Sequence, residues 1–261
     1  MRIASVGHAV FAAVMIAIGI LGLVRGEFIG VWDGVPNNLP AREMLPYLCA
    51  GVALISGLGL FWQRTAALAA RVLFVYLLLW LLLFKGRYIV LQPNVEVSYE
   101  SSGETAVIVA AAWVLYSWFA ADWDRRWLGF MVGDKGVRYA RVLLGLALIA
   151  FGFSHFAYLE NTASLVPGWL PGHVFWAYFF GSTYLAAGVA MLIGVYARLA
   201  AVLTAVQIAM FTLLIWVPIV AAGHVSADNW GEFAVSCALT AGAWVVADSY
   251  RGMPWLAVNK R

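Results

Sequence analysis

Residues 151–181 read FGFSHFAYLENTASLVPGWLPGHVFWAYFFG. A hydrophobic run ends in His155. A short polar stretch follows, carrying Glu160 and the phrase Val166-Pro-Gly-Trp-Leu-Pro171, and His173 opens another hydrophobic run. Crossing a bilayer as a helix takes about 20 mostly apolar residues. The two runs fit that length, extending over 138–156 and 173–195. The stretch therefore reads as two membrane-spanning helices and the turn between them, with the few protonatable groups gathered at the turn.

Outward from it the pattern recurs. Spans are expected at 4–24, 44–62, 65–84, 105–121, 138–156, 173–195, 197–219 and 231–247. The runs are continuously hydrophobic and lack period-2 alternation, which selects helices over barrel strands. The whole composition agrees. Hydrophobic residues make up 64% and charged residues 11% of the 261, with a mean hydropathy of +0.88. A water-soluble fold of this length needs more polar surface. The N-terminal run has no clear cleavage site and reads as a first span. Cys49 and Cys237 both sit in hydrophobic runs without a CxxC, which argues against a disulfide framework or a dithiol site.

Eight spans put both termini on one side. That side carries Arg2, Arg64, Arg71, Arg125, Arg126, Lys135, Arg138, Arg141, Arg198, Arg251, Lys260 and Arg261. The other carries only Arg25, Arg42, Lys85 and Arg87. By the positive-inside rule both termini are expected in the cytoplasm. The basic balance then reflects orientation in a membrane, and nucleic acid is not an expected partner.

The chain also repeats itself. Leu39-Pro-Ala-Arg-Glu-Met-Leu-Pro-Tyr47 lies over Leu170-Pro-Gly-His-Val-Phe-Trp-Ala-Tyr178 at a shift of 131, and Gly57 and Val35-Pro36 fall on Gly188 and Val166-Pro167 at the same shift. Arg64 corresponds to Arg198, Gly103-Glu104 to Gly231-Glu232, and Ala121-Asp122 to Ala247-Asp248; Trp80 and Trp216 are expected to end the third span of each half. These matches keep their order. The expected fold is all-α: eight transmembrane helices as two tandem four-helix bundles in parallel orientation. The first unit covers 1–122, a cytoplasmic linker 123–137 and the second unit 138–261.

The second half resembles the DoxX family of bacterial and archaeal membrane proteins. The resemblance rests on Gly152-Phe-Ser-His155, Leu165-Val-Pro-Gly-Trp-Leu-Pro171, Gly181-Ser-Thr-Tyr-Leu-Ala-Ala-Gly188, Leu192-Ile-Gly-Val-Tyr-Ala-Arg-Leu-Ala-Ala201 and Asn229-Trp-Gly-Glu-Phe233. The first half departs from it: Gly22 stands where His155 stands, and Pro-Asn-Asn-Leu replaces Pro-Gly-Trp-Leu. The resemblance implies a four-helix membrane bundle in a bacterial or archaeal cytoplasmic membrane. One relative is the membrane subunit of a thiosulfate:quinone oxidoreductase, so an association with other subunits of a membrane redox complex is implied by analogy.

The candidate site residues are His155, Glu160, His173, Tyr184, His224, Asp228, Trp230 and Glu232. The histidines and carboxylates belong to the two outer loops of the second half and the adjoining helix ends. Imidazole and carboxylate near a bilayer interface suit proton transfer to a quinone, with the neutral imidazole donating to a quinone carbonyl. Tyr158, Trp169, Trp176 and Trp230 could pack against a ring, or simply anchor the helices at the interface. No His-x-x-x-His or Glu-x-x-His spacing occurs, so no metal site is expected. No Rossmann fingerprint or haem-attachment Cys pair is present either, so redox power is expected from a partner, with quinone as the ligand and no covalently bound cofactor. Arg71 lies about 10 Å along the third span at 1.5 Å per residue. A charge at that depth suggests function, unless the side chain snorkels to the interface. The expected function is an integral membrane subunit of a respiratory or redox complex. A binding or transport protein for a small hydrophobic molecule, or a membrane scaffold, are the alternatives.

Overall fold

The computed structural model describes residues 3–223 and 226–258, without the side chains of Ala227 and Asp228. The described residues contain helices and turns and no strand. Among the described residues, eight helices are long and apolar enough to cross a membrane: Val6–Arg25, Arg42–Leu60, Ala66–Leu91, Val97–Phe119, Gly133–Ala157, His173–Ile193, Ala197–Ala221 and Asn229–Asp248, here spans 1 to 8. Two depart from the expected ranges in ways that matter. Span 3 runs on to Leu91 and takes Lys85 into the helix. Span 4 begins at Val97 instead of 105, which brings Glu100 and Glu104 inside it. Hydropathy places a helix start where polar residues give way to apolar ones. Here the polar turns are helical too, and each places polar residues inside the bundle: Lys85 in span 3, Ser98 and Ser102 in span 4. In span 4, 83% of the apolar window is buried, against 28% in span 6.

Spans 3 and 7 are each interrupted by one π-helical segment, Leu81–Lys85 and Thr212–Trp216. The two lie 131 residues apart, the shift that relates Leu39 to Leu170. Trp80 and Trp216 therefore do not end their spans: Trp80 precedes one π segment and Trp216 closes the other, with helix continuing past both.

Close crossings recur in the two halves. A Cβ on Gly57 would lie 2.9 Å from the Ala12 carbonyl oxygen, and one on Gly188 2.7 Å from that of Gly145. Leu54 presses on Gly19 as Leu185 presses on Gly152. Between helices in lipid, association relies on such small-residue contacts, because lipid tails are as apolar as leucine.

Consecutive spans pack within each half, but span 4 also packs on span 5, span 8 on span 1, and spans 4 and 8 on each other. The two halves thus share a core. Span 4 supplies a run of small and branched residues, Ala106 through Ala112 with Val114 and Leu115, that is buried on every side. A helix apolar all round belongs at the centre of a bundle.

At the end that carries the termini, the Arg71 guanidinium donates to Asp124 at 2.7 Å. Asp124 is fully buried on the short helix Asp122–Trp127. The Tyr116 hydroxyl and the Ala121 N–H donate to the same carboxylate at 2.8 and 2.9 Å. Burial alone would push the Asp124 carboxyl up. The hydrogen bonds from Arg71, Tyr116 and Ala121, with the Arg71 charge, outweigh it and hold the group below its ordinary range. The charge in span 3 is thus turned back to its own end and paired there.

Candidate functional site

At the opposite end, a cavity of about 150 Å³ opens among spans 4 to 8. Glu100 and Glu104 come from span 4, His155 from span 5, Tyr184 from span 6, Trp216 from span 7 and Glu232 from span 8. The site therefore draws on both halves of the chain, whereas the sequence placed it in the second half alone.

His155 sits in the last turn of span 5. Its Nδ1 lies 2.8 Å from the Phe151 carbonyl oxygen. A carbonyl only accepts, so Nδ1 carries the hydrogen and the neutral ring presents Nε2 as a lone-pair acceptor. Nε2 is buried without a hydrogen-bond partner. Tyr184 packs edge-on at 5.2 Å and Phe211 at 6.4 Å, which fixes the ring plane. This corrects one chemical expectation: the neutral imidazole offers the cavity an acceptor, and it donates to a carbonyl only after taking up a proton.

Glu96, Glu100 and Glu104 follow one another at four-residue spacing and so share a helix face. Ser154 donates to Glu96 at 2.7 Å, tying the start of span 4 to the end of span 5. Glu100 and Leu165 also line a second cavity of about 390 Å³, whose other walls include Ser154, Tyr158, Asn161 and Thr162. Glu100 thus stands between a polar vestibule and the inner cavity.

Lys85 lies behind the cavity. Its side chain is 3% exposed. It is ion-paired with Asp33 and donates to Ser101 at 2.5 Å. Glu104 and Glu232 are within electrostatic range of its ammonium. A lysine buried at membrane depth requires such counter-charges. The widened π turn that ends at Lys85 is the backbone feature that places it there.

Of the residues expected from sequence, the structure brings His155, Tyr184 and Glu232 to one cavity. Glu160 is exposed on the short helix Leu159–Ser164. His173 is the first residue of span 6, outside that cavity. Trp230 lies 5.8 Å under the Arg25 guanidinium and packs on Phe233. Trp169 and Trp176 line a separate apolar cavity of about 190 Å³ that shares Phe211 with the first. Arg71 is at the other end. His224 and the Asp228 side chain lie outside the described residues. Among the described residues, no group of three or more His, Cys, Asp or Glu is placed to hold a metal ion.

Glu100, Glu104 and Lys85 escaped the sequence reading. The signal for Glu104 was present, since the repeat aligns it with Glu232. What concealed all three was their position in stretches read as loop.

Residues 136–217 match the sequence profile of the DoxX family. The match begins in the first turn of span 5 and ends just after the π segment of span 7, so it contains His155, Tyr184 and Trp216 but neither Glu232 nor the span 4 glutamates. No curated protein matches the whole chain or a part of it, and no solved structure matches. Eight helices long and apolar enough to cross a membrane, with a match to the DoxX family over residues 136–217, mark this chain as a multi-pass integral membrane protein whose second half is similar to the DoxX family.

Proposed function

We propose that the protein is the membrane-embedded subunit of a redox complex and that the inner cavity binds the head ring of a lipid-soluble quinone or quinol. The observation that carries this is the unpartnered, buried His155 Nε2 on the wall of a ring-sized cavity that also holds Glu100, Glu104 and Glu232. A cavity of about 150 Å³ is the size that accommodates a benzene ring in an engineered protein core. The apolar cavity across Phe211 offers space for an attached hydrocarbon tail.

The chemistry balances as follows. A quinol hydroxyl donates its hydrogen bond to Nε2, and oxidation to the quinone releases two protons and two electrons. One proton goes to Nε2 and the other to the carboxylate group. Glu100 passes protons on to the vestibule. The electrons go to a cofactor-bearing partner subunit. In reduction the same partner supplies two electrons, and His155 as imidazolium and a protonated glutamate return the protons.

Binding of a short-chain quinol to the purified full-length protein, followed by quenching of tryptophan fluorescence, tests this. His155→Ala should weaken binding about tenfold, the loss of one hydrogen bond to a buried acceptor, with folding near wild type. Glu232→Gln should also keep the fold, and both variants should lose quinone turnover in the intact complex. Equal affinity in the wild type and His155→Ala would remove the quinone. A second reading, a carrier or binding protein for a small hydrophobic molecule, is favoured by the apolar cavity around Trp169 and Trp176. It predicts that an apolar ring without hydroxyl groups binds as well as the quinol and is indifferent to His155.

The distribution of lysine and arginine supports a cytoplasmic membrane with both termini inside. In a variant lacking Cys49 and Cys237, Ser164→Cys should react with an impermeant reagent added to intact cells. Protection of that position would reverse the topology.

A further inference from the structure

A larger cavity lies at the other end of the molecule and plays no part in the site above. It is a groove of about 500 Å³ between spans 7 and 8. Its walls are apolar, with Val206, Met210 and Leu213 half or nearly half exposed on the lipid-facing surface. Arg198, Asp248 and Arg251 close its polar end.

The chain following span 8 builds that polar end. It folds back so that the Tyr196 N–H donates to the Ala257 carbonyl at 2.8 Å. Arg198 donates to the Met253 carbonyl at 2.5 Å and lies 4.0 Å over the Trp255 ring. Arg251 is ion-paired with Asp248 at 2.8 Å. Two guanidinium groups and one carboxylate leave one net positive charge at the mouth. Each guanidinium has five N–H donors, more than these contacts use. Trp255, half exposed beside Arg198, marks the depth of the membrane interface. From Arg198 to Leu213 the wall rises about 22 Å at 1.5 Å per residue. One leaflet of hydrocarbon is about 15 Å deep, half of a 30 Å core.

We infer that this groove is a binding site for an anionic glycerophospholipid, with the phosphodiester held by Arg198 and Arg251 and an acyl chain lying along spans 7 and 8. The single net positive charge matches one phosphodiester, and the apolar wall is long enough for the chain. A zwitterionic lipid satisfies the chain equally well but brings a cation toward the arginines. The inference is independent of the quinone reading.

The test uses full-length protein purified in a mild detergent, relipidated with phosphatidylglycerol or with phosphatidylcholine, and read by thermal unfolding and by quantifying retained lipid. Phosphatidylglycerol should be retained about fivefold more than phosphatidylcholine, the preference expected from one unit charge near the interface, and should raise the unfolding temperature further. Arg251→Gln should abolish the preference. Arg198 also holds the tail, so a second variant avoids that ambiguity: Val206→Trp fills the groove and leaves every charge in place. It should reduce retention of both lipids. Inorganic phosphate alone should not stabilise the protein; stabilisation by phosphate equal to that by the lipid would leave an anion site without a lipid. Equal retention of the two lipids, or an unchanged preference in both variants, would overturn the proposal. So would a change of oligomeric state in Val206→Trp without any effect of lipid, which would make the groove a protein interface.

Discussion

The two halves cross their helices alike and fill their interiors differently. In the first half, the loop after span 1 folds inward as the turn Gly30–Trp32 and buries Trp32 to 1% exposure. Trp32 meets Tyr76 and Trp80 at 5.5 and 5.3 Å, and Trp80 continues the stack to Phe84 at 4.4 Å. In the second half, the tryptophan of the corresponding loop, Trp169, is 71% exposed and stands at an apolar cavity of about 190 Å³. The histidine follows the same division. Where span 5 has His155, span 1 has Gly22, whose Cβ would come within 2.9 Å of Ala50. The first half packs its interior with aromatic side chains around Trp32 and keeps a cavity of about 280 Å³ beside Asp33 and Lys85. In the second half His155 stands at a cavity, whereas the first half's His8 is fully buried in span 1; the family profile matches the second half.

The largest expected effect would break this contrast. Trp32→Ala removes a fully buried indole and should cost about 3–5 kcal/mol, measured by unfolding in detergent. Trp169→Ala should change stability by less than about 0.5 kcal/mol, as exposed positions do. A small loss at Trp32 would mean that the aromatic stack is not what holds the first half together.

The ends of spans 4 and 8 give the next comparison. Asp124→Asn leaves Arg71 and the Tyr116 hydroxyl facing an uncharged partner and should cost about 3 kcal/mol. Asp248→Asn should cost about 1 kcal/mol, since its arginine partner, Arg251, is 55% exposed. The pH dependence follows from the sign of the shift. The Asp124 carboxyl is held below its ordinary value of 3.8 in the folded protein, so the unfolded chain takes up the proton first as pH falls. Its contribution is complete above the ordinary aspartate range and is lost as pH drops through the lower folded value. Wild type and Asp124→Asn should therefore converge in stability on acidification. A constant gap down to that range would show that the charge is not the source of the difference.

The smallest expected difference, between two equivalent glycines, sharpens the likeness. Gly57→Ala and Gly188→Ala place a Cβ 2.9 and 2.7 Å from a carbonyl oxygen of the crossing helix. Each should cost about 1–3 kcal/mol, the usual range for overpacking, and the two should agree. Residues 1–122 and 138–248 should superpose as four-helix units of the same sense. A large difference between the two glycines would show that the crossings are not equivalent.

The helix count was legible because it is a local, one-dimensional property. A span announces itself by its own apolar length, and Gly57 and Gly188 stand in register whatever the fold does. His155, Tyr184 and Glu232 were legible as candidates because polar groups stand out in a hydrophobic chain. Convergence was not. Glu160 and His173 are equally conspicuous in sequence and lie outside the cavity, while Glu100 and Glu104 line it from a segment that hydropathy assigns to a loop.

What the sequence determined by itself is the class of the molecule, an eight-span helical membrane protein with a DoxX-like second half, since a chain this apolar has no other stable solvent. What only the tertiary structure decided is which charges meet. Arg71 finds Asp124 across 53 residues and Lys85 finds Asp33 across 52, and the candidate site takes Glu100 and Glu104 from span 4 because that helix packs between the halves. In an apolar medium a charge must reach a partner, but the nearest one in space is set by helix packing, which no local pattern records.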